Sequence, residues 1–179
     1  MKRKLFLAAM GVSALCAAPM SFAQSLIKGK TDAGKAWAVQ VTAPKGWTSQ
    51  PGFAHDISVS GAIVLGDVSD GEPDQVLRLI VLPREQPTLD AALADYRKDH
   101  LANAPKDKSA PYHVDNKTMS CKAIKFETEA GIEVSAFCDP GAASSVYLQW
   151  AMIDGPDAGR QNRDLQAFEK VVASSVYKP

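Results

Sequence analysis

The sequence predicts one α+β domain in which helices flank an antiparallel sheet. Several short segments alternate apolar and polar residues, as strands do, and two longer segments carry apolar residues at helical spacing. Two cysteines bracket a further alternating segment with a glycine near its centre. We therefore expect a group of strands, a central helix, an antiparallel meander and a C-terminal helix.

The first 23 residues predict an exported protein. A basic start at residues 2–4 precedes an apolar run from Leu5 to Ala18, and Ser21 and Ala23 are small residues at the positions that a signal peptidase reads. The run is too short for a membrane span. Lipidation at Cys16 is a rival reading, but the required leucine is misplaced. We expect cleavage after Ala23, with residues 24–179 forming a single periplasmic domain.

Charge excludes two classes of partner. The chain carries 20 basic and 20 acidic residues, and the export segment contains three basic residues and no acidic one. Residues 24–179 therefore hold 17 basic and 20 acidic residues, a net charge of −3. A mildly acidic domain is not suited to binding nucleic acid or anionic lipid by charge. No later segment is apolar enough for a membrane anchor.

The predicted strands come before and after a central helix. They lie at Ala36–Thr42, Ile57–Ser60, Ile63–Val68, Val76–Leu82 and Ser145–Ile153. Thr88 is the expected N-cap of a helix that ends near Asn103. The last helix covers about Gln161–Ser175, with Phe168 in its buried stripe. Residues 103–120 are expected to form a long surface loop, and an edge strand near Val114 is an alternative.

Cys121 and Cys138 are expected to form a disulfide, because they are an even pair in an oxidising compartment at the open end of one hairpin. The sequence is compatible with three registers of this hairpin. A three-residue loop, Glu129-Ala130-Gly131, gives one apolar face but misaligns the cysteines. A two-residue loop, Glu129-Ala130, aligns the cysteines but mixes the faces. A bulge near the cysteines is a third solution.

The order of elements resembles the PsbP-like fold of the extrinsic photosystem subunit. The residues that carry the resemblance are Pro44-x-Gly46-Trp47 after the first strand, the helix around Leu89–Tyr96, and Phe168-x-x-Val171-x-x-x-Ser175 in the last helix. The resemblance implies an α/β/α sandwich. It also implies a binding module without enzymatic activity, and some exported members act as immunity proteins against toxins from neighbouring bacteria.

Candidate binding residues fall into two groups. Trp47 follows a turn and is our expected surface anchor. The other group is an acidic loop with two glycines and a proline among its acids, which are Asp67, Asp70, Glu72 and Asp74. A solvated turn is the simplest interpretation of this loop. A partner-binding loop or a calcium site are the alternatives, although the spacing does not match a calcium-binding loop.

The sequence shows no pattern that indicates catalysis. The three histidines lack metal-ligand spacing, and the domain has no nucleophile elbow or triad arrangement. We expect no metal and no cofactor. The sequence therefore predicts a non-catalytic protein-binding module, with an immunity-type inhibitor of a periplasmic toxin as the leading hypothesis. An envelope-assembly or stress accessory, a small-ligand or calcium-binding module, and a hydrolase are the alternatives.

Overall fold

The computed structural model describes residues 24–31, 33–68 and 72–179. The export segment, Asp32 and residues 69–71 lie outside the described residues, so cleavage after Ala23 stays a prediction. The elements are β1 Gln24–Lys30, β2 Ala36–Thr42, β3 Trp47–Ser49, α1 Pro51–Asp56, β4 Gly61–Leu65, β5 Gln75–Pro83, α2 Leu89–Asn103, β6 Lys108–Tyr112, β7 Ser120–Thr128, β8 Gly131–Asp139, β9 Val146–Asp154, α3 Ala158–Ser174 and β10 Val176–Lys178.

The strands form two antiparallel sheets. Seven strands pair in the order β3-β4-β5-β9-β8-β7-β6, and three strands pair in the order β1-β2-β10. The last strand, β10, follows directly after α3 and pairs with β2, so the two ends of the described chain meet in the small sheet. The predicted α+β class is confirmed.

Both faces of the seven-stranded sheet are covered. One face packs against α3 and the small sheet, in a core that includes Val39, Leu79, Trp150, Phe168 and Val171. Helix α2 covers the opposite face at β7 and β8, and α1 covers it at β4. Because strands buried on both faces lose polar alternation, every residue of β9 except Ile153 is buried.

The two long helices are held differently. The apolar stripe of α3 packs in the main core, where Phe168, Val171 and Val172 have no exposed surface. In α2 the only fully buried residue is Leu89. Ala92, Leu93 and Tyr96 pack against Phe137 and Tyr147 but stay partly exposed.

The hairpin takes the two-residue loop. Thr128 pairs with Gly131 and Cys121 pairs directly with Cys138, and the two cysteines form a disulfide. Ile124 and Phe126 point towards α2, whereas Val134 and Ala136 point into the core on the other face. The mixed faces are tolerated because both faces of the sheet are buried.

The structure corrects two local predictions. The segment Ile57–Ser60, predicted as a strand, follows helix α1 and forms no strand. Helix α1 has six residues and begins at Pro51. An edge strand does form in the predicted loop, but it spans Lys108–Tyr112 and not Val114. Val114 is 8% exposed and belongs to the core.

The prediction that Trp47 is a surface anchor is also wrong. It is 5% exposed and packs in the main core, so it is not a surface anchor. Gly46 has φ of 85°, and the Trp47 N–H donates to the carbonyl of Pro44 at 3.0 Å. This tight turn directs the indole ring inward, where β3 pairs with β4.

A candidate binding cleft beside helix α2

One face of α2 borders an open space beside the sheet. Thr88 caps the helix, because its hydroxyl accepts a hydrogen bond from the Ala91 N–H at 3.2 Å. From there Ala92, Asp95, Tyr96 and Asp99 recur at the spacing that places side chains on one side of a helix. These four residues form one wall of a cleft.

The cleft has a volume of about 340 Å³. Its second wall is the end of β5 and the segment after it, and its floor is formed by β8 and β9. The residues lining it are Leu82, Pro83, Glu85, Gln86, Ala92, Asp95, Tyr96, Asp99, Phe137, Tyr147 and Gln149. Its size lies in the range of small-ligand pockets, and apolar surface with a few placed polar groups is typical of such sites.

A chain of hydrogen bonds fixes the floor. The Gln149 amide donates to the Ser135 hydroxyl at 3.2 Å, and Ser135 lies 2.9 Å from the Tyr96 hydroxyl. Tyr96 in turn donates to the Glu133 carboxylate. Since a phenol has one proton, the consistent direction of donation runs from Gln149 through Ser135 and Tyr96 to Glu133. Burial, with the bond to Glu133, raises the pKa of Tyr96, so this side chain stays a neutral donor.

His100 anchors the last turn of α2. Its Nε2 lies 2.8 Å from Asp107, and its Nδ1 lies 3.8 Å from Glu133. The imidazole stacks on the ring of Phe126 with centroids 3.7 Å apart. These contacts join the helix end, the following turn and β8, so His100 has a structural role in positioning the cleft wall.

Arg84 braces the aromatic floor from outside the cleft. Its guanidinium makes a two-pronged ion pair with Asp139 and lies 4.5 Å from the centre of the Tyr147 ring. The Tyr147 hydroxyl donates to the carbonyl of Gln86 at 2.9 Å. The charge of Arg84 is therefore balanced by Asp139, and the Tyr147 ring is held in place on two sides.

The cleft favours a positive charge. Glu85, Asp95 and Asp99 contribute three carboxylates, and none of the described residues that line the cleft is basic. The ring of Tyr96, on the α2 wall, and the ring of Phe137, on the floor, have their centroids 5.2 Å apart. Aromatic faces attract cations, and carboxylates at the rim add to that attraction. The arrangement suits the ammonium or guanidinium group of a partner.

The predicted acidic loop is a separate feature. It lies between β4 and β5, whereas the cleft lies at the other end of β5, a nine-residue strand about 30 Å long. Asp67, Glu72 and Asp74 are exposed, and Asp70 lies outside the described residues. A role of this loop in partner binding stays a prediction.

The described residues contain neither a cluster of metal ligands nor a helix that could cross a membrane. No group of three or more histidine, cysteine or carboxylate side chains in residues 24–31, 33–68 and 72–179 is arranged to hold a metal ion. No helix within those ranges has both the length and the hydropathy that a bilayer crossing requires.

Sequence reasoning missed the cleft because it treated α2 only as an apolar stripe. Asp95 and Asp99 flank Tyr96 one helical turn apart, and that spacing was the available signal. The contributions of Phe137, Tyr147 and Gln149 depend on two strands that meet only in the folded sheet, so no local pattern reveals them.

Comparison with known proteins finds a likeness in structure and no match in sequence. No family model matches the sequence, and no curated protein matches it. The chain is similar to the solution structure of cyanobacterial PsbP (CyanoP) from Synechocystis sp. PCC 6803. The two share 13% identity with a TM-score of 0.46, over 88% of this chain and 95% of that chain. The likeness is one of fold alone, and it assigns neither a family nor a function to the chain.

Proposed function

We propose that the chain is an exported, non-catalytic binding module that holds a basic segment of a protein partner in the cleft beside α2. The observation that carries this proposal is the combination of three carboxylates and an aromatic floor in one cleft whose described lining has no basic residue. A net charge of −3 in residues 24–179 would also attract a basic partner from a distance.

Within this class we propose an immunity-type inhibitor of a toxin delivered to the periplasm. An inhibitor of this kind needs a charged and partly apolar surface, and it needs no turnover and no cofactor of its own. An envelope-assembly or stress accessory would use the same cleft for a resident partner. Small-ligand binding remains the third candidate, because the cleft has the volume of a ligand pocket.

Photocrosslinking in the cell tests the binding role. A crosslinking amino acid replaces Glu85 at the cleft rim, and the control replaces Gln166, an exposed residue of α3 on the opposite side of the sheet. We expect a discrete protein adduct from position 85 and none from position 166. The adduct should disappear when Asp95→Asn and Asp99→Asn are combined. Equal adducts from both positions would contradict the proposal.

Gene deletion separates the two partner classes. For an immunity-type inhibitor, the deletion strain should grow normally in isolation and should be killed beside toxin-delivering kin. A growth or envelope defect in pure, toxin-free culture would instead favour the assembly accessory.

A further inference from the structure

We infer that the free edge of β1 binds an extended segment of a partner protein as an added strand. This surface lies on the small sheet, so the inference goes beyond the proposed function of the cleft. Strand β1 pairs with β2 without interruption from Gln24 to Lys30, and no described strand pairs with its other side. On that side the N–H and C=O groups of alternate residues have no strand partner among the described residues.

The other sheet edges in the described chain are less suited to strand addition. Strand β6 contains Pro111, which has no N–H to donate. Strands β3 and β10 have three residues each. Strand β1 has seven residues and no proline, so it offers the longest open template.

A groove accompanies this edge. It has a volume of about 390 Å³ and lies between β1 and α1, with Leu26, Lys28, Ala54, His55 and Val59 among its lining residues. Leu26 is 51% exposed, which makes it one of two large apolar side chains left open in the described chain. An edge strand beside a helix-lined groove is the geometry in which a partner strand gains affinity from backbone hydrogen bonds and specificity from alternate side chains.

Charge indicates the chemistry of the partner segment. Leu26, Lys28 and Lys30 lie on the same side of β1, since side chains alternate along a strand. The two lysines are exposed. A partner strand with apolar residues opposite Leu26 and carboxylates opposite the lysines fits this edge. A second copy fits less well, because two such edges would bring four lysines together.

A library of short random peptides displayed on phage tests this inference. We expect enriched peptides to carry an apolar residue and two Asp or Glu residues at every second position, opposite Leu26 and the two lysines, and synthetic copies to slow hydrogen exchange of β1 amides. Leu26→Asp should weaken their binding by roughly tenfold or more, because it places a charged carboxylate against the apolar residue of the peptide. Ile153→Asp is the matched control, since Ile153 is 49% exposed and also lies on a strand.

Three results would overturn the inference. These are no enriched peptide, peptides whose binding is unchanged by Leu26→Asp, or peptides that leave β1 exchange unaltered. If the chain forms a dimer and Leu26→Asp abolishes it, the edge binds a second copy, which would also overturn the proposed partner. None of these results bears on the α2 cleft, whose test uses Asp95 and Asp99.

Discussion

Arg84 shows how one side chain can support both stability and the candidate site. It is about one-fifth exposed, pairs with Asp139 through two nitrogens and covers the Tyr147 ring at the cleft floor. Burial alone would raise the pKa of Asp139, but hydrogen bonds from Arg84 and the Gly141 N–H outweigh burial and hold that pKa below its ordinary value. The ionised form of Asp139 is therefore stabilised in the folded chain.

Arg84→Met should cost about 2 kcal/mol of unfolding free energy at neutral pH, because it leaves Asp139 without its charged partner. A carboxylate whose folded-state pKa is lowered contributes stability above its ordinary pKa, and the contribution is lost as pH falls through the folded-state value. The difference between wild type and Arg84→Met should therefore shrink at about pH 3. Urea unfolding at both pH values measures this, and a difference independent of pH would contradict the assignment.

The pKa of Asp154 is shifted in the opposite direction to that of Asp139, so Asp154 provides a control. Burial raises the pKa of this carboxyl, whose Oδ2 has no hydrogen-bond partner among the described residues, although Arg160 donates to Oδ1 at 2.9 Å. A raised folded-state pKa contributes stability at low pH that is lost as pH rises through it. Wild type should therefore lose stability relative to Asp154→Asn with rising pH, which is the reverse of the trend expected for Arg84→Met.

At the scale of elements, the sequence predicted α2 and α3 well because each has a clear local signal. Thr88 marks the start of α2, and the observed end at Asn103 is the predicted one. The hairpin register could not be chosen from the sequence, because the period-two pattern was interpreted with one buried face. Ser135 and Phe137 are buried beside α2 while Val134 and Ala136 are buried on the other face, so both sets of alternate residues are interior.

The buried stripe of α3 can be tested by a pair of substitutions. Phe168→Ala should cost about 3–5 kcal/mol, because it empties a fully buried position in the main core. Gln166→Ala, at an exposed position of the same helix, should cost little. Glu169 is a poorer control, since it accepts a hydrogen bond from Tyr112 at 2.6 Å. Equal effects of the two substitutions in urea unfolding would show that the stripe faces another way.

The disulfide should stabilise the hairpin between β7 and β8. Its cysteines are 17 residues apart, for which closing the loop in the unfolded chain contributes about 3 kcal/mol. Replacing Cys121 and Cys138 together by Ser should lower the melting temperature and keep the circular dichroism spectrum. Intact mass after alkylation without reductant should show no modified thiol in protein from the periplasm, and two alkylated cysteines would contradict the pairing.

For the whole molecule, the α+β class was predictable from the sequence, but the arrangement of sheets and helices in layers was only partly predictable. Strand β1, helix α1 and strand β10 had been missed because each is short or lacks a repeating apolar pattern, and their pairing depends on contacts distant in sequence. The cleft had been missed for the same reason. Asp95 and Asp99 come from α2. The aromatic floor comes from β8 and β9, which lie well further along the chain and reach the helix only in the folded sheet.

An NMR titration with a short, capped arginine peptide tests whether the cleft beside α2 binds a basic segment. We predict saturable shifts centred on Tyr96, Phe137, Tyr147 and Gln149. We also predict that combined Asp95→Asn and Asp99→Asn weakens binding by about tenfold or more, since two attracting charges are removed. Asp90→Asn should leave binding unchanged, because Asp90 lies outside the cleft on the same helix and pairs with Lys122. Shifts spread over all acidic surfaces, or equal loss of affinity with Asp90→Asn, would contradict the claim.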